Sequence, residues 1–243
     1  MPGYYPIMLN VRQRPVLVIG GDRIAMEKAT SLLACGAQVT ILSANICPEM
    51  QALAQHYPTQ VTFQARDFQA GDLAGFFVVV AATNDQDLIE ALWQEATAHG
   101  QLLNIVDVPA RCNFILPSIL RRGQLTISVS TEGASPSLSK RIRQHLEKLF
   151  PSAYELYLQL ATVARALLRA QGVSYDQRDD FFGAFYGSPI LQHLEKGEQS
   201  EALSNTVALL QPYGITTTIE TLFQALQEGG NEAWSNQTSV TSS

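Results

Sequence analysis

The chain has 243 residues, 46% hydrophobic and 16% charged, enough apolar side chains for one large domain or two modest ones and too many for a mainly disordered polymer. Sixteen Lys and Arg against 22 Asp and Glu leave a formal charge of −6, which offers no global attraction to nucleic acid or to an anionic membrane. Three scattered cysteines, Cys35, Cys47 and Cys112, build neither a disulfide framework nor a CxxC metal site, so a reducing, cytoplasmic setting is expected. The opening residues show no basic-then-apolar leader, and the most apolar stretch, Leu73 to Ala82, is about half the roughly 20 residues of a membrane helix, so neither export nor spanning is expected.

Val16 to Ile19 predicts a strand that ends in Gly20-Gly21. The next segment, IAMEKATSLLACG, predicts a helix with Ile24, Ala25, Leu32 and Leu33 at helical spacing and a stop at Gly36. Gln38 to Ser43 reads as a second strand, Pro48 to Tyr57 as a helix and Val61 to Ala65 as a third strand. Phe76 to Ala82 is a continuous buried-type strand, followed by Asp85 as N-cap of a helix that stops at Gly100. Leu102 to Val106 makes a fifth strand with Asp107 at its carboxyl end. Such alternation predicts an α/β fold, a Rossmann-type parallel sheet with right-handed crossovers over residues 1–112.

Beyond Asp107 the pattern changes. One alternating strand, with Leu125, Ile127 and Val129 on a face, precedes a helix that starts near Ser135-Pro136, and together they mark a separate segment over 113–150. Ser152 to Ala170 predicts a helix with Leu156, Leu160, Val163 and Leu167 in register. Helical patterns around Asp179 to Phe185, Ser188 to Lys196 and Glu201 to Gln211 then make 151–228 a small helical domain. Residues 229–243, rich in Gly, Ser, Thr and Asn, predict a mobile tail.

Four features bear on chemistry. Gly20-Gly21-Asp22-Arg23-Ile24-Ala25 stands where a dinucleotide fingerprint belongs, at the amide-rich start of the first helix, but Asp22 occupies the place of the glycine that lets a pyrophosphate approach. The second strand ends without a carboxylate for a ribose hydroxyl; Ser43 or Asn45 stands there, which leaves NAD and NADP open. Asp107, at the edge of the sheet that faces ligands in such folds, reads either as an acid/base group or as a turn cap. Between Arg111 and Lys148 seven basic residues face only Glu132 and Glu147, a net +5 inside an acidic chain, which reads as an anion site or as a solvated helix face. The loop Ser130 to Pro136 brings hydroxyls and a helix start together beside it. The four histidines, His56, His99, His145 and His193, lack metal-ligand spacing, and no metal site is expected.

Taken together, these residues resemble the precorrin-2 dehydrogenase and sirohydrochlorin ferrochelatase family of siroheme synthesis, which includes the N-terminal module of siroheme synthase and its single-function relatives. The resemblance runs through PIMLNVRQRPVLVIGG, IAMEKATSLLACGAQVTIL, VVVAATND and LNIVDVPARCNFILPSILRRGQLTISVSTEGASPSLSKRIRQHLE, with SPILQHLEKG as a weaker continuation. It implies a homodimer with a Rossmann domain, a central dimerisation segment that also binds the tetrapyrrole, and a small helical domain. It implies NAD-dependent oxidation of precorrin-2 to sirohydrochlorin, with insertion of ferrous iron as a co-substrate in some members.

Carried onto this chain, the resemblance makes Asp107 the catalytic carboxylate. Gly20, Gly21, Asp22, Arg23, Ile24, Ser43, Thr83 and Asn84 become the cofactor-binding set. A substrate with eight carboxylates gives the basic segment a purpose, and from charge and hydroxyl placement we expect Arg121, Arg122, Thr131, Ser135, Lys140, Arg141 and Arg143 to bind it. Three departures stand out: Asp22 in the family's GGGxVA, Glu132 where the family usually has the first glycine of a pair, and Val108 where some members have a second Asp. Thr131 replaces a Ser and keeps the hydroxyl. Asp22 and Glu132 keep two alternatives open, a tetrapyrrole-binding or regulatory protein that has lost its dinucleotide, and a chelatase only.

Overall fold

The computed structural model describes residues 3–232, and these divide into two compact units. The first comprises residues up to Leu116 together with Glu132–Ala134. It contains the parallel strands β1 (Pro15–Ile19), β2 (Gln38–Leu42), β3 (Val61–Gln64), β4 (Val78–Ala81) and β5 (Leu102–Ile105). Their order in the sheet is β3-β2-β1-β4-β5, with every neighbouring pair parallel. The chain winds outward from β1 to β3, then returns to β4 on the other side of β1, so the order reverses between β1 and β4. Such a switch opens a crevice at the carboxyl ends of the strands.

Period-two alternation decides which residues meet which helix. Val16, Val18, Val39, Ile41, Val78 and Val80 face one side and pack with Ala25, Ala29 and Leu33 of α1 (Arg23–Leu33). Leu17, Ile19, Val79, Ala81, Leu103 and Ile105 face the other and pack with Ile89, Leu92 and Ala96 of α4 (Gln86–His99). Both faces are covered, which is why the strands read as unbroken apolar runs. Leu92 is fully buried, and truncating such a side chain to Ala costs about 2–5 kcal/mol. The helix predicted over 48–57 is instead two short turns, α2 (Pro48–Gln51) and α3 (Leu53–His56), joined at Ala52. In α1 the inward face is Ala25, Ala29 and Leu33, and Ile24, placed on it by the sequence pattern, stays 45% exposed.

The second unit holds residues 117–131 and those from 135 onward. Where one strand was expected there are two: β6 (Ser118–Arg122) and β7 (Leu125–Val129) form an antiparallel hairpin closed at Gly123 and Gln124. Gly123 has φ +56, and a Cβ there would lie 2.8 Å from the Glu155 side chain, so both backbone and space demand glycine. Helix α5 (Pro136–Leu149) follows, capped at its start by the Ser135 hydroxyl, which accepts from the Leu138 amide. Five further helices follow: α6 (Ala153–Ala170), α7 (Tyr175–Gly187), α8 (Ile190–Glu195), α9 (Gln199–Leu210) and α10 (Ile219–Glu232).

On α6 the buried line is Tyr157, Leu160, Ala161, Ala164 and Leu168, while Leu156, Val163 and Leu167 flank it. The two alanines let neighbouring helices approach, and a count of leucines misses them. Tyr157 stacks on Phe185 at 5.0 Å, and burial pushes its phenol up to about 12. Helix α10 was not foreseen; it continues past Gly229 to Glu232, and the rest of the expected tail, from residue 233, lies outside the described residues. No helix among the described residues is long and apolar enough to cross a membrane.

Candidate active site

A cleft of about 570 Å³ opens at the carboxyl ends of β1, β2 and β4, where the switch in strand order places it. Gly20, Gly21 and Asp22 form one wall, Ser43, Asn45 and Cys47 a second, and Ala82 and Thr83 a third. The two glycines are explained by the protein's own packing. A Cβ on Gly20, which has φ +123, would lie 2.7 Å from the Ala82 carbonyl oxygen, and one on Gly21 would lie 1.7 Å from that of Asn45. The Gly21 carbonyl also accepts from the Cys47 amide at 2.8 Å. Any side chain at either position would push the turn off the strand ends.

Asp22 is the N-cap of α1: its Oδ1 accepts the Ala25 amide at 2.9 Å, and its backbone is extended, at φ −90 and ψ −177. The position has no conformational need for glycine. With Ala25 satisfied by Asp22, the amides of Arg23 and Ile24 remain at the positive end of the helix. Arg23 and Ile24 themselves are exposed and do not line the cleft. Ser43 is committed to a local turn, donating to the Asn45 carbonyl at 2.7 Å and accepting the Asn45 amide at 3.3 Å. Thr83 accepts the Asp85 amide at 3.2 Å and so orders the start of α4, while Asn84 is exposed outside the cleft lining.

The remaining wall comes from the loop after β3, which the sequence reading missed. Arg66, Asp67 and Phe68 all line the cleft. Arg66 is held twice by Asp72, at 2.6 and 2.8 Å, and bonds Gln64 Oε1 at 2.8 Å. That pairing holds the Asp72 carboxyl below the usual carboxylate range, chiefly through the Arg66 hydrogen bond. Asp67 is exposed, and its carboxylate has no partner among the described residues. The legible signal was an Arg-Asp pair directly after a parallel strand, hence at the same edge as the glycine turn.

Asp107 follows β5, two strands and so about 10 Å from β1 along the same edge. It does not line the cleft described above. It is exposed and adopts φ +60, a left-handed conformation that Asp tolerates better than most residues. The Val108 amide closes the turn onto the Ile105 carbonyl at 3.2 Å, which makes Asp107 the third residue of a tight turn.

In the second unit, Thr131 Oγ1 accepts the Ser135 amide at 3.0 Å and pairs with the buried Ser139 hydroxyl at 3.1 Å. The expected substrate cations divide. Arg122 donates to the Phe150 carbonyl at 2.9 Å, capping the C-terminus of α5, and Arg143 pairs with Glu147 one helical turn on. Lys140 and Arg141 are exposed on α5, with no ion pair among the described residues, and Arg121 is exposed on β6. In the first unit, Glu132 has φ +52 and accepts the Gly3 amide at 3.1 Å. Its left-handed backbone is the physical reason glycine suits this position.

The fold and the cleft define a dinucleotide-binding α/β protein of the Rossmann type. Residues 7–118 match the family described as putative NAD(P)-binding, and residues 122–149 the one described as sirohaem biosynthesis protein central. In the order of these two parts the chain is similar to siroheme synthases and to a precorrin-2 dehydrogenase. Siroheme synthase of Nitrosococcus oceani is 33% identical over 208 residues, which are 86% of this chain and 44% of that protein. The Nitrosomonas europaea enzyme is 34% identical over 210 residues, 84% of this chain and 44% of the other. The chain thus spans less than half the length of these curated relatives. Among solved structures, SirC, a precorrin-2 dehydrogenase, superposes with a TM-score of 0.67 at 27% identity, covering 87% of this chain and 99% of SirC.

Proposed function

We propose that this chain oxidises precorrin-2 to sirohydrochlorin with NAD as hydride acceptor. The observation that carries the reading is a carboxylate, Asp107, presented in a left-handed turn at the same sheet edge as a dinucleotide-sized cleft. The cleft lining suits a dinucleotide: Gly20, Gly21 and the start of α1 would hold its phosphates, and Ser43, Asn45 and Thr83 bring amide and hydroxyl groups to the walls. A nicotinamide held there supplies the acceptor for hydride.

The chain's own residues do the rest. Asp107 accepts the proton that must leave the macrocycle as the hydride departs, so two hydrogens are removed, one as hydride and one as H⁺. Lys140, Arg141 and Arg121 supply positive charge that raises the encounter rate of a substrate with eight carboxylates. Arg122 and Arg143, Thr131 and Ser135 hold α5 and the loop before it, and so shape that basic surface. Asp67 selects NAD, because an unpaired carboxylate in the cleft repels a 2′-phosphate, whereas Arg66 is already occupied by Asp72.

The protein acts as a homodimer. Leu138, Ile142 and Leu149 lie on one face of α5 and are exposed, a stripe that a second copy would cover. Ferrous iron, where it is used, enters as a co-substrate, with Asp107 taking the pyrrole protons that it displaces; sirohydrochlorin with ferrous ion and no NAD assays that step separately.

The direct test is Asp107→Asn, which keeps the size and the tolerance for a left-handed backbone but removes the base. We expect kcat to fall at least 100-fold with NAD affinity and dimer mass unchanged. Full turnover by this variant removes Asp107 from the reaction.

A further inference from the structure

We propose that the Cys112–Asn113 pair is the positioning element for Asp107, with the Cys112 thiol clamping both ends of the turn that carries the carboxylate. The proposal rests on the reading of Asp107 as the proton acceptor.

Strand β5 is an edge of the sheet, so the outward N–H and C=O groups of alternate residues lack a strand partner. In this chain they are met by two residues from the returning loop. Leu103 donates to Asn113 Oδ1 at 2.8 Å and its carbonyl accepts the Asn113 amide at 3.1 Å, so Asn113 pairs like a short piece of strand. At the next outward position the partner is sulfur: the Ile105 amide donates to Cys112 Sγ at 3.1 Å. The thiol's single hydrogen then finds two acceptors, the carbonyls of Ile105 and Val108, each 3.2 Å away.

Ile105 and Val108 are the two ends of the turn, and Asp107 lies between them with φ +60. A left-handed L-residue costs roughly 1–2 kcal/mol, so the conformation persists only where its surroundings hold it. The Val108–Ile105 bond and the thiol bridge both act on these two ends, beside the Arg111 amide, which donates to the Val108 carbonyl at 3.0 Å. Burial pushes the Cys112 thiol up from its ordinary range, which keeps the S–H donor protonated and the sulfur a poor nucleophile. Its use is therefore as a two-way hydrogen-bonding group of particular reach. Serine keeps the donor and acceptor on a shorter arm; alanine and valine remove both, and valine keeps the volume.

The experiment compares Cys112→Ser, Cys112→Ala and Cys112→Val in the full chain by kcat, NAD dissociation constant, pH profile, and hydrogen exchange at the Ile105 and Val108 amides. We expect the Ala and Val variants to lose at least tenfold in kcat, with the NAD constant within twofold of wild type. Exchange at both amides should accelerate at least tenfold, and the acid limb of the pH profile should move. Serine should recover most of each effect. Wild-type kcat, pH profile and exchange in Ala and Val overturn the proposal. So does a loss of kcat that serine fails to relieve and that comes with an equal loss of NAD affinity, since that reports general damage. Wild-type turnover by Asp107→Asn would instead overturn the underlying role of Asp107, and the exchange rates would still report whether the thiol holds the turn.

Discussion

The carboxylate of Asp22 accepts the amide of Ala25 at 2.9 Å and so caps the helix at whose start a pyrophosphate would lie. The residue that departs from the glycine fingerprint therefore stabilises the fold while adding a negative charge near the phosphates. At about 5 Å in a water-like dielectric that repulsion is about 0.8 kcal/mol, or about fourfold in affinity. Asp22→Gly is expected to bind NAD about fourfold more tightly and to lose only a few tenths of a kcal/mol in stability, the usual difference between Asp and Gly at an N-cap. A fluorescence titration and a denaturant melt check both; weaker NAD binding by the variant would show that Asp22 assists the cofactor.

Asp67 makes a second, separable prediction. Replacing it with Asn removes the unpaired charge from the cleft without changing its size. The preference for NAD over NADP should narrow by about 1 to 2 kcal/mol, about five- to thirtyfold, almost all of it as tighter NADP binding. An unchanged ratio would locate selectivity elsewhere.

The Arg66–Asp72 pair predicts a pH dependence. The folded-state pKa of Asp72 is depressed relative to the unfolded chain, where it is about 3.9. Its contribution is therefore complete above that value and is lost as pH falls through the folded-state pKa. Asp72→Asn should be less stable than wild type at pH 7, and the gap should close in acid, once pH falls through the depressed folded-state pKa of Asp72. Urea midpoints at pH 7 and in acid measure it, and a gap that widens in acid would contradict the assignment.

Assembly is tested at Ile142. It is 39% exposed on the apolar stripe of α5, so a charge there disturbs little within one chain. Ile142→Glu is expected to convert the light-scattering mass from twice the chain mass to a single chain with an unchanged melting profile of the first unit. A wild-type chain of monomer mass would overturn the dimer.

The sheet was legible because its signal is local: apolar runs ending in glycine or an N-cap, each followed by a helical period. The β6 strand was not, because Pro117 and the pair Arg121-Arg122 make its segment read as a loop, and pairing with β7 supplies what its own pattern lacks. Helix α6 was found, and Leu156, Leu160, Val163 and Leu167 do pack on the core, but Ala161 and Ala164, buried for their small size, carry no signal in a leucine count. The glycine turn at the cleft and the place of Asp107 at the end of β5 could be read from position along the chain. The places of Arg66 and Asp67 in the cleft wall and of Cys112 under the Ile105–Val108 turn could not, because each depends on which segments become neighbours in space. Asp22 shows the same limit from the other side: the letter signals a departure, and only the extended backbone and the Ala25 bond show that it is a cap.

The measurement that bears most directly on the account is anaerobic conversion of precorrin-2 by the purified protein, with and without NAD, following sirohydrochlorin absorbance and NADH together. The account predicts sirohydrochlorin only when NAD is present, with one NADH formed per macrocycle oxidised. A folded protein that binds the tetrapyrrole yet yields neither product with NAD present would contradict it.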